Sequence, residues 1–310
     1  MNQLTRPWSV FIILFIFFCG VIPQTAFAET ETKDFRAVWV SSVFGIDYPK
    51  QPTADADSLK KQADEILDGA KEMGMTAVIL QVRPAADALY ESEIFPWSKY
   101  LTGKQGLAPE GDFDPLSYWI SGAHKRGLAL HAWINPYRIA NSDAEFEAMT
   151  ADHPAKQNPS WVVRHTDGKY YWNPGVPEVQ EMVIAGAEEI VQGYSVDGLH
   201  LDDYFYPGSD FDDAKTFALY GGGFDDIGDW RRENVNRLIC GLWEMVNNSG
   251  KEVSFGVSPS GIWANRSNHP QGSQTAGKQS YETSYADSRK WVKERWLDYI
   301  CPQLYWNIGY

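Results

Sequence analysis

The feature that most constrains the fold is a regular alternation of short apolar segments and amphipathic segments that begins near Lys33. Helical patterns with one apolar face separate most of the apolar segments, and their ends carry helix signals, such as Asp114-Pro115 at a start and Gly127 at a stop. This alternation predicts parallel strands joined by helical crossovers. The predicted strands are 35–41, 77–83, 128–135, 196–202, 253–259 and 298–306.

Two architectures fit such an alternation, a doubly wound sheet and a (β/α)8 barrel. In each strand, one set of alternate positions is apolar, whereas the other set carries polar residues toward the C-terminal end, such as Gln81, His131 and Asp202. A doubly wound sheet is covered by helices on both faces, so both sets of alternate positions in its strands are apolar. In a barrel one face meets the helices, the other faces the axis, and the active site lies at the C-terminal ends of the strands. The sequence therefore predicts an α/β fold of the TIM-type (β/α)8 class.

Eight strands close such a barrel, and six can be found before the sequence ends at Tyr310. We therefore expect a barrel domain over 35–310 that is truncated after its sixth strand, which leaves the first and sixth strands as unpaired edges. The alternative is that the long loop at 141–175 contains a barrel strand. Within that loop, the segment 161–172 predicts a hairpin that turns at Asp167-Gly168.

The N-terminus predicts a signal peptide over residues 1–28. An apolar run follows a segment with one arginine and precedes a small-x-small cleavage site that ends at Ala28. The run is short for a membrane span, although an uncleaved anchor is the alternative. Residues 29–34 then form a short linker. We expect a secreted, extracytoplasmic protein with no lasting membrane insertion after signal cleavage.

Composition narrows the classes of partner. The net charge of −14 at pH 7 argues against nucleic acid, whose phosphates need lysine and arginine, and favours solubility. Aromatic residues reach 14% of the chain, with 13 Trp and 16 Tyr. Flat rings stack on sugar faces, so this excess favours a carbohydrate groove; an aromatic-rich core is the alternative.

Seven motifs occur in order from Phe35 to Tyr310: FRAVWVSSV, AVILQVRPAADALYES, FPWSKYLTG, LHAWINPYRI, VDGLHLDDYFYP, GVSPSGIW and DYICPQLYW. Together they resemble the glycosyl-hydrolase-like family ten of extracytoplasmic bacterial proteins. This family includes denuded-glycan hydrolases, which cut peptidoglycan strands already stripped of peptides. The resemblance implies a TIM-type barrel with two strands more than this chain has, hydrolysis of glycosidic bonds, and a polysaccharide substrate in the cell wall.

Glycosidases need two carboxyl groups, one to protonate the leaving oxygen and one to act as nucleophile or base. Asp202 is the first candidate, because it lies on the axis-facing parity at the C-terminal end of the fourth strand. Asp203 is the second candidate. It has the opposite parity, but the strand ends there, so parity does not fix the direction of its side chain. Helix capping or loop ordering is the alternative for both. The partner of Asp202 could also be Asp87, Glu91 or Asp47 in a loop, or a residue on the missing strands.

Other side chains near the expected site could bind sugar. Arg83 and Arg138 could pair with a carboxylate, such as the lactyl acid of N-acetylmuramic acid, or could hold a catalytic acid in place. Aromatic rings could stack on sugar faces, and polar groups could bind hydroxyl or acetamido groups. The remaining substrate-binding candidates are Asp87, Trp133, Asn135, Tyr137, His200, Tyr204, Gln303 and Tyr305.

No cofactor is expected, and no metal. His131 and His200 lie on different strands without an H-x-H or H-E-x-x-H pattern, which is typical of hydrogen-bonded barrel residues. The leading hypothesis is a secreted, cell-wall-associated glycoside hydrolase that acts on peptide-free peptidoglycan strands. Two alternatives stay open: a non-catalytic glycan-binding barrel, and a metal-dependent polysaccharide deacetylase that uses His200 and the acids.

Overall fold

The computed structural model describes residues 34–308. The predicted signal peptide over 1–28 lies outside the described residues, as does the predicted linker apart from Asp34. Residues 35–308 belong to one compact unit. Among the described residues, no helix has both the length and the apolar character needed to cross a membrane.

The described residues contain nine strands and ten α-helices. The strands are β1 (Ala37–Val40), β2 (Ala77–Arg83), β3 (Ala129–Ile134), β4 (Arg138–Ala140), β5 (Val162–Arg164), β6 (Tyr170–Trp172), β7 (Gly198–Leu201), β8 (Ser254–Val257) and β9 (Tyr299–Ile300). The helices are α1 (Ala56–Glu72), α2 (Lys99–Thr102), α3 (Pro115–Lys125), α4 (Asp143–Glu147), α5 (Pro154–Gln157), α6 (Pro177–Gly193), α7 (Ala214–Tyr220), α8 (Ile227–Asn248), α9 (Ser280–Thr283) and α10 (Ser288–Lys293).

Six parallel strands form the main sheet in the order β1-β2-β3-β7-β8-β9. Each strand pairs with the next one along the chain, apart from the small second sheet between β3 and β7, so the order never reverses. A doubly wound sheet reverses its order, whereas a barrel adds strands in one direction. The sheet curls into a half-barrel, and the predicted α/β barrel class, with six of its strands, is confirmed.

The long helices follow from their amphipathic sequences. In α1, the Asp55 carboxylate accepts a hydrogen bond from the Ser58 amide at the N-terminus, and the buried stripe consists of Leu59, Ala63, Leu67 and Ala70. The start of α3 has the predicted form, with Asp114 as its cap and Pro115 in the first turn. Neighbouring helices pack in pairs, α1 on α3 and α6 on α8. This layer buries the apolar parity of the strands.

The loop after β3 holds a second, smaller sheet in the order β4-β6-β5. β5 and β6 form the predicted antiparallel hairpin, with Asp167 and Gly168 in its turn. β4 adds to the hairpin through β6. The strands of this loop therefore belong to a separate antiparallel sheet, and the alternative of a hidden barrel strand at 141–175 is wrong.

Within residues 34–308, β1 and β9 each pair on one side only and do not pair with each other. The predicted sixth strand at 298–306 is longer than β9, which spans Tyr299–Ile300 and is followed by one isolated bridge from Gln303 to Ser260. Leu304 has the parity of a buried residue, yet it is 61% exposed. A strand with one partner makes half the hydrogen bonds of an inner strand, so regular pairing ends early.

Candidate active site

The candidate site lies at the C-terminal end of the half-barrel, where β7 ends. Asp202 is the first residue after β7, and Asp203 follows it. Both aspartates line a cleft of about 570 Å³. The other side chains around the cleft include Trp39, Trp133, Tyr204, Ser258, Gln303 and Tyr305. The structure therefore brings both catalytic candidates and four of the predicted binding residues to one cavity.

The Asp202 carboxyl is 4% exposed and is surrounded by hydrogen-bond donors. Its Oδ2 accepts a hydrogen bond from Trp133 Nε1 at 3.2 Å and another, very short one from Asn135 Nδ2. Its Oδ1 accepts from the Tyr204 amide at 3.0 Å. The two side-chain donors come from the C-terminal end of β3, and the amide comes from the loop that follows β7, so the carboxyl has a fixed orientation.

Burial, together with the negative charge of Asp203, raises the pKa of Asp202 to about 7. The Tyr204 amide, the charge of Arg138 and the Asn135 amide act in the opposite direction, because each of them stabilises the carboxylate. A carboxyl with a pKa near 7 is populated in both protonation states at neutral pH. Asp202 is therefore suited to give and take a proton.

The Asp203 carboxyl is partly exposed and is bound by the opposite side of the cleft. Its Oδ2 accepts a hydrogen bond from Ser260 Oγ at 2.9 Å, and its Oδ1 accepts from Gln303 Nε2 at 3.2 Å. Gln303 also donates to the Ser258 carbonyl at 2.8 Å. Neither aspartate caps a helix, so the alternative of helix capping is wrong for both; Asp202 does also order the loop at Tyr204.

Asn135 is itself held by Gln81, whose Nε2 donates to Asn135 Oδ1. The Gln81 Oε1 accepts from the Ser41 hydroxyl and from the amides of Ser42 and Val43, at 2.9 to 3.0 Å. The chain of contacts from the loop after β1 through Gln81 and Asn135 to Asp202 spans four neighbouring strands. The amide of Asn135 is thereby fixed with its donor toward the carboxyl.

Beneath the cleft, the interior holds two histidines that share one hydroxyl group. Tyr299 Oη lies 2.7 Å from His131 Nδ1 and 3.0 Å from His200 Nδ1. A Cβ at Gly198 would lie 2.2 Å from the His131 ring, and a Cβ at Gly256 would lie 2.1 Å from the Tyr299 ring. Glycine at these two strand positions therefore lets both rings lie flat across the backbone.

His200 occupies the centre of this interior group. Its Nε2 lies 2.9 Å from Ser258 Oγ and 3.4 Å from Trp39 Nε1, and since an indole N–H can only donate, Nε2 is the acceptor. Burial lowers the pKa of His200 to about 3 and that of His131 to about 4, so both imidazoles are neutral. Among residues 34–308, no three His, Cys, Asp or Glu side chains converge as the ligands of a metal ion would.

Arg138 and Tyr204 lie beside Asp202. The Arg138 guanidinium is centred 4.3 Å from the Tyr204 ring, and its residue is 8% exposed. Tyr204 is half exposed and lines the cleft, so Arg138 lies behind it. The Arg138 charge favours the ionised form of Asp202. Arg138 was predicted to bind sugar. In the structure it contacts Tyr204, and its charge lowers the pKa of Asp202.

Arg83 does not reach the cleft, contrary to the prediction. The register between β2 and β3 shifts after Gln81, so that Arg83 pairs with Ile134, a residue of the helix-facing parity. Its side chain is 1% exposed, donates to the Val183 carbonyl of α6 at 3.4 Å, and stacks on Phe95 at 4.6 Å. The bulge turns Arg83 from the axis to the helix layer, which strand parity alone does not reveal.

Two other predicted binding residues also lie outside the cleft. Tyr137 is fully buried, and its hydroxyl makes no hydrogen bond within residues 34–308; the prediction that it contacts sugar is wrong. Asp87 is 2% exposed and lines a separate cavity on the same face of the half-barrel. Asp47, considered as a second carboxylate, accepts from the Ser41 amide at 2.9 Å and orders the turn after β1.

Sequence reasoning missed several residues of the site. Trp39, Ser258 and Ser260 belong to motifs that were recognised, yet none of them carries a titratable group that would single it out. Tyr299 has the same parity as Gln303, and this parity was the one signal that could have placed it in the interior. Contacts across the half-barrel, such as the pair of Trp39 and His200, depend on its curvature.

Carboxyl groups at the C-terminal end of a barrel strand, within a cleft lined by aromatic side chains, are features that glycosidases of the (β/α) barrel class also have. The model of the family described as "Glycosyl hydrolase-like 10" matches residues 34–310. The chain belongs to this family, and the resemblance stated from the seven motifs is confirmed.

Two relatives illustrate the match. "Glycosyl hydrolase YngK" of Bacillus subtilis (strain 168) is 42% identical over 295 residues, which cover 93% of this chain and 57% of the relative. "Glycosyl hydrolase DigH" of Escherichia coli (strain K12) is 38% identical over 302 residues, which cover 92% of this chain and 68% of the relative. The chain thus spans between half and about two thirds of these relatives. Their names support the expectation of a glycoside hydrolase.

A solved structure supports the fold. The glycoside hydrolase domain of PgaB (BpsB) from Bordetella bronchiseptica superposes with a TM-score of 0.54 at 14% identity, covering 86% of this chain and 73% of that one. At this identity the likeness concerns the fold alone. It agrees with the (β/α) barrel class that the strand order defines.

Proposed function

We propose that the protein is a glycoside hydrolase in which Asp202 transfers the proton and Asp203 is the second carboxylate. The single observation that carries this proposal is the contrast between two adjacent aspartates in one cleft. Asp202 is buried among donors with its pKa raised to about 7, whereas Asp203 is partly exposed and bound to Ser260 and Gln303. Glycosidases use such a pair in different roles set by environment.

In the proposed reaction, protonated Asp202 donates its proton to the oxygen of the glycosidic bond as that bond breaks. Positive charge develops at the anomeric carbon of the sugar, and the Asp203 carboxylate stabilises this charge and accepts a proton from the water molecule whose oxygen bonds to that carbon. Proton exchange with solvent then returns Asp202 to its protonated form and Asp203 to its ionised form. Trp133, Asn135 and the Tyr204 amide orient Asp202 and stabilise the carboxylate that proton transfer leaves behind.

We infer that the substrate is the peptide-free glycan of bacterial peptidoglycan. The family described above and the aromatic residues of the cleft support a polysaccharide. The positive charge of Arg138, whose guanidinium is centred 4.3 Å from the ring of the cleft residue Tyr204, supports an acidic sugar substituent, such as the lactyl carboxylate of N-acetylmuramic acid. The predicted signal peptide over 1–28 supports action outside the cytoplasm, in association with the cell wall.

The test is to incubate the full-length protein with glycan strands whose peptides have been removed, and to determine the masses of the products. We expect shortened glycan chains whose masses each include one added water. Intact peptidoglycan and cellulose serve as matched polymers that differ in peptide content and in sugar substituents. Recovery of unshortened, peptide-free glycan would contradict the proposal, and release of acetate without chain cleavage would favour the deacetylase alternative.

A further inference from the structure

A second cavity lies on the same face of the half-barrel as the cleft, between the loop that follows β2 and the segment of β4 and α4. Its volume is about 330 Å³. The Asp87 carboxyl lines it, as do Gln105, Ile139 and Met149. Both connecting segments leave the C-terminal ends of barrel strands, where substrate binds in this class of fold.

The cavity has acceptor oxygens without donors. Asp87 is 2% exposed, and its Oδ2 accepts from Ser98 Oγ at 2.7 Å. Its Oδ1 is buried and accepts no hydrogen bond within residues 34–308, and the same holds for Gln105 Oε1. Buried acceptors of this kind are rare, because each one loses its hydrogen bonds to water. Burial raises the pKa of Asp87 to about 6, although the Ser98 hydroxyl, the Lys99 charge and the nearby Ala85 amide act in the opposite direction.

The rest of the cavity is largely apolar and electrically balanced. Aliphatic side chains line it, among them Ala85, Ile139, Ala148 and Met149. Lys99 Nζ and Glu145 Oε1 form an ion pair of 2.8 Å at its edge. A cation would meet Lys99, and an anion would meet Asp87 and Glu145. The matching ligand is therefore a neutral group that donates a hydrogen bond and carries a small apolar body.

Residues of β4 lie between the cavity and the catalytic cleft. Tyr100 lines the cavity, and its hydroxyl is subject to the charges of both Asp87 and Arg138. Arg138 in turn acts on Asp202. Ile139, the next residue of β4, lines the cavity directly. Arg138 and Ile139 are thus consecutive residues of β4, one beside the catalytic cleft and the other in the cavity, and a sugar chain that extends from Asp202 along β4 would meet the cavity.

We propose that this cavity binds the acetamido group of an N-acetylated sugar in the glycan, with Asp87 Oδ1 accepting its N–H and the aliphatic wall contacting its methyl group. The inference deepens the proposed function and takes its ligand class from it. It assigns Asp87, which lies outside the catalytic cleft, to recognition of the sugar substituent rather than to chemistry.

The test uses triacetylchitotriose, the trisaccharide of N-acetylglucosamine that is called chitotriose below, and cellotriose, which carries hydroxyl groups in place of acetamido groups; both probes are uncharged. Binding is measured by calorimetry, with saturation-transfer NMR of the acetamido methyl groups, on the full-length protein carrying Asp202→Asn to prevent turnover. Ala148→Leu fills the cavity mouth from an exposed position. Ala151→Leu makes the same change at an exposed residue that does not line the cavity, and is the matched control.

We expect Ala148→Leu and Asp87→Ala each to weaken chitotriose binding about tenfold or more, as loss of one buried hydrogen bond to a charged group does. Ala151→Leu leaves binding unchanged, and cellotriose binds more weakly and is insensitive to Ala148→Leu. Because the two leucine variants alter exposed residues, the inference stays testable even if Asp87→Ala fails to fold.

No binding of chitotriose, equal binding of the two trisaccharides, or equal affinity of the two leucine variants overturns the inference. Cleavage of peptide-free glycan by the unmutated protein in these cases leaves the proposed function intact. The protein could instead bind chitotriose selectively, with weaker binding in Ala148→Leu, and yet cleave no glycan. That result would support the acetamido site and contradict the proposed hydrolysis.

Discussion

The two sides of the catalytic cleft bind its two aspartates in different ways. On the side of β3, Trp133 and Asn135 enclose Asp202, which is 4% exposed. On the side of β9, Ser260 and Gln303 bind Asp203, which is partly exposed. We call these the β3 side and the β9 side of the cleft. The β3 side consists of inner strands paired on both edges, whereas β9 is an edge strand.

The difference shows how two identical side chains, adjacent in sequence, acquire different chemistry. Side chains alternate between the faces of a strand, so consecutive aspartates at the end of β7 point to different surroundings. Dense packing on the β3 side removes water from Asp202 and raises its pKa to about 7. The β9 side leaves Asp203 in contact with solvent. Strand pairing therefore accounts for the proposed division of roles.

The largest effect is expected from Asp202→Asn, which removes the proton donor on the β3 side. We expect hydrolysis of peptide-free glycan to fall by a factor on the order of 10³, since general acid–base catalysis contributes roughly 10²–10⁴. The amide preserves the shape of the carboxyl, so folding and glycan binding should be largely retained. Product masses measure the first effect, and thermal unfolding and calorimetry are the controls. An active variant would move the chemistry to another residue.

A smaller effect is expected from Asn135→Ala, also on the β3 side. Activity should fall about 10- to 100-fold, in the range seen when an orienting hydrogen bond is lost. The Asn135 amide lowers the pKa of Asp202, so its removal raises that pKa further. If Asp202 acts as the acid, the basic limb of the pH–rate profile moves to higher pH. An unchanged basic limb would contradict this assignment.

A still smaller effect is expected from Gln303→Ala, the matched change on the β9 side. It removes one of the two donors to Asp203 and leaves the Ser260 hydroxyl in place. We expect a loss of roughly 3- to 10-fold in activity, consistent with one hydrogen bond worth about 1 kcal/mol. The basic limb should stay where it is. A shift equal to that of Asn135→Ala would show that the two sides do not act on separate carboxyls.

The comparison also has a consequence for stability. Asp202 has a raised pKa in the folded state, so the folded protein binds its proton more tightly than the unfolded chain does. Its ionisation therefore destabilises the fold progressively between pH 3.8 and about 7, by a few kcal/mol in order of magnitude. The free energy of unfolding of Asp202→Asn minus that of the unmutated protein should therefore be larger at pH 8 than at pH 4. Equal differences in the free energy of unfolding at both pH values would contradict the burial of a titrating Asp202.

The β3 side was largely predictable, because strand parity identified Trp133, Asn135, His200 and Asp202. The prediction for Arg83 was wrong because the alternation of side chains changes beyond the bulge in β2. The prediction for Tyr137 was wrong because Tyr137 lies in a loop after β3, where side chains do not alternate regularly. On the β9 side the strand itself was predicted too long. Edge pairing depends on neighbours in space, and the sequence of one strand does not contain that information.

The smallest effect, none at all, is expected from chelators. The interior beneath both sides of the cleft is occupied by His131, Tyr299 and His200, and the Nδ1 atoms of both imidazoles already face the Tyr299 hydroxyl. His200 Nε2 faces Ser258, and burial keeps both rings neutral, so these nitrogen atoms stabilise the interior through hydrogen bonds. Hydrolysis of peptide-free glycan in EDTA should equal that in buffer. A loss of turnover that zinc restores would overturn this assignment and favour the metal-dependent deacetylase.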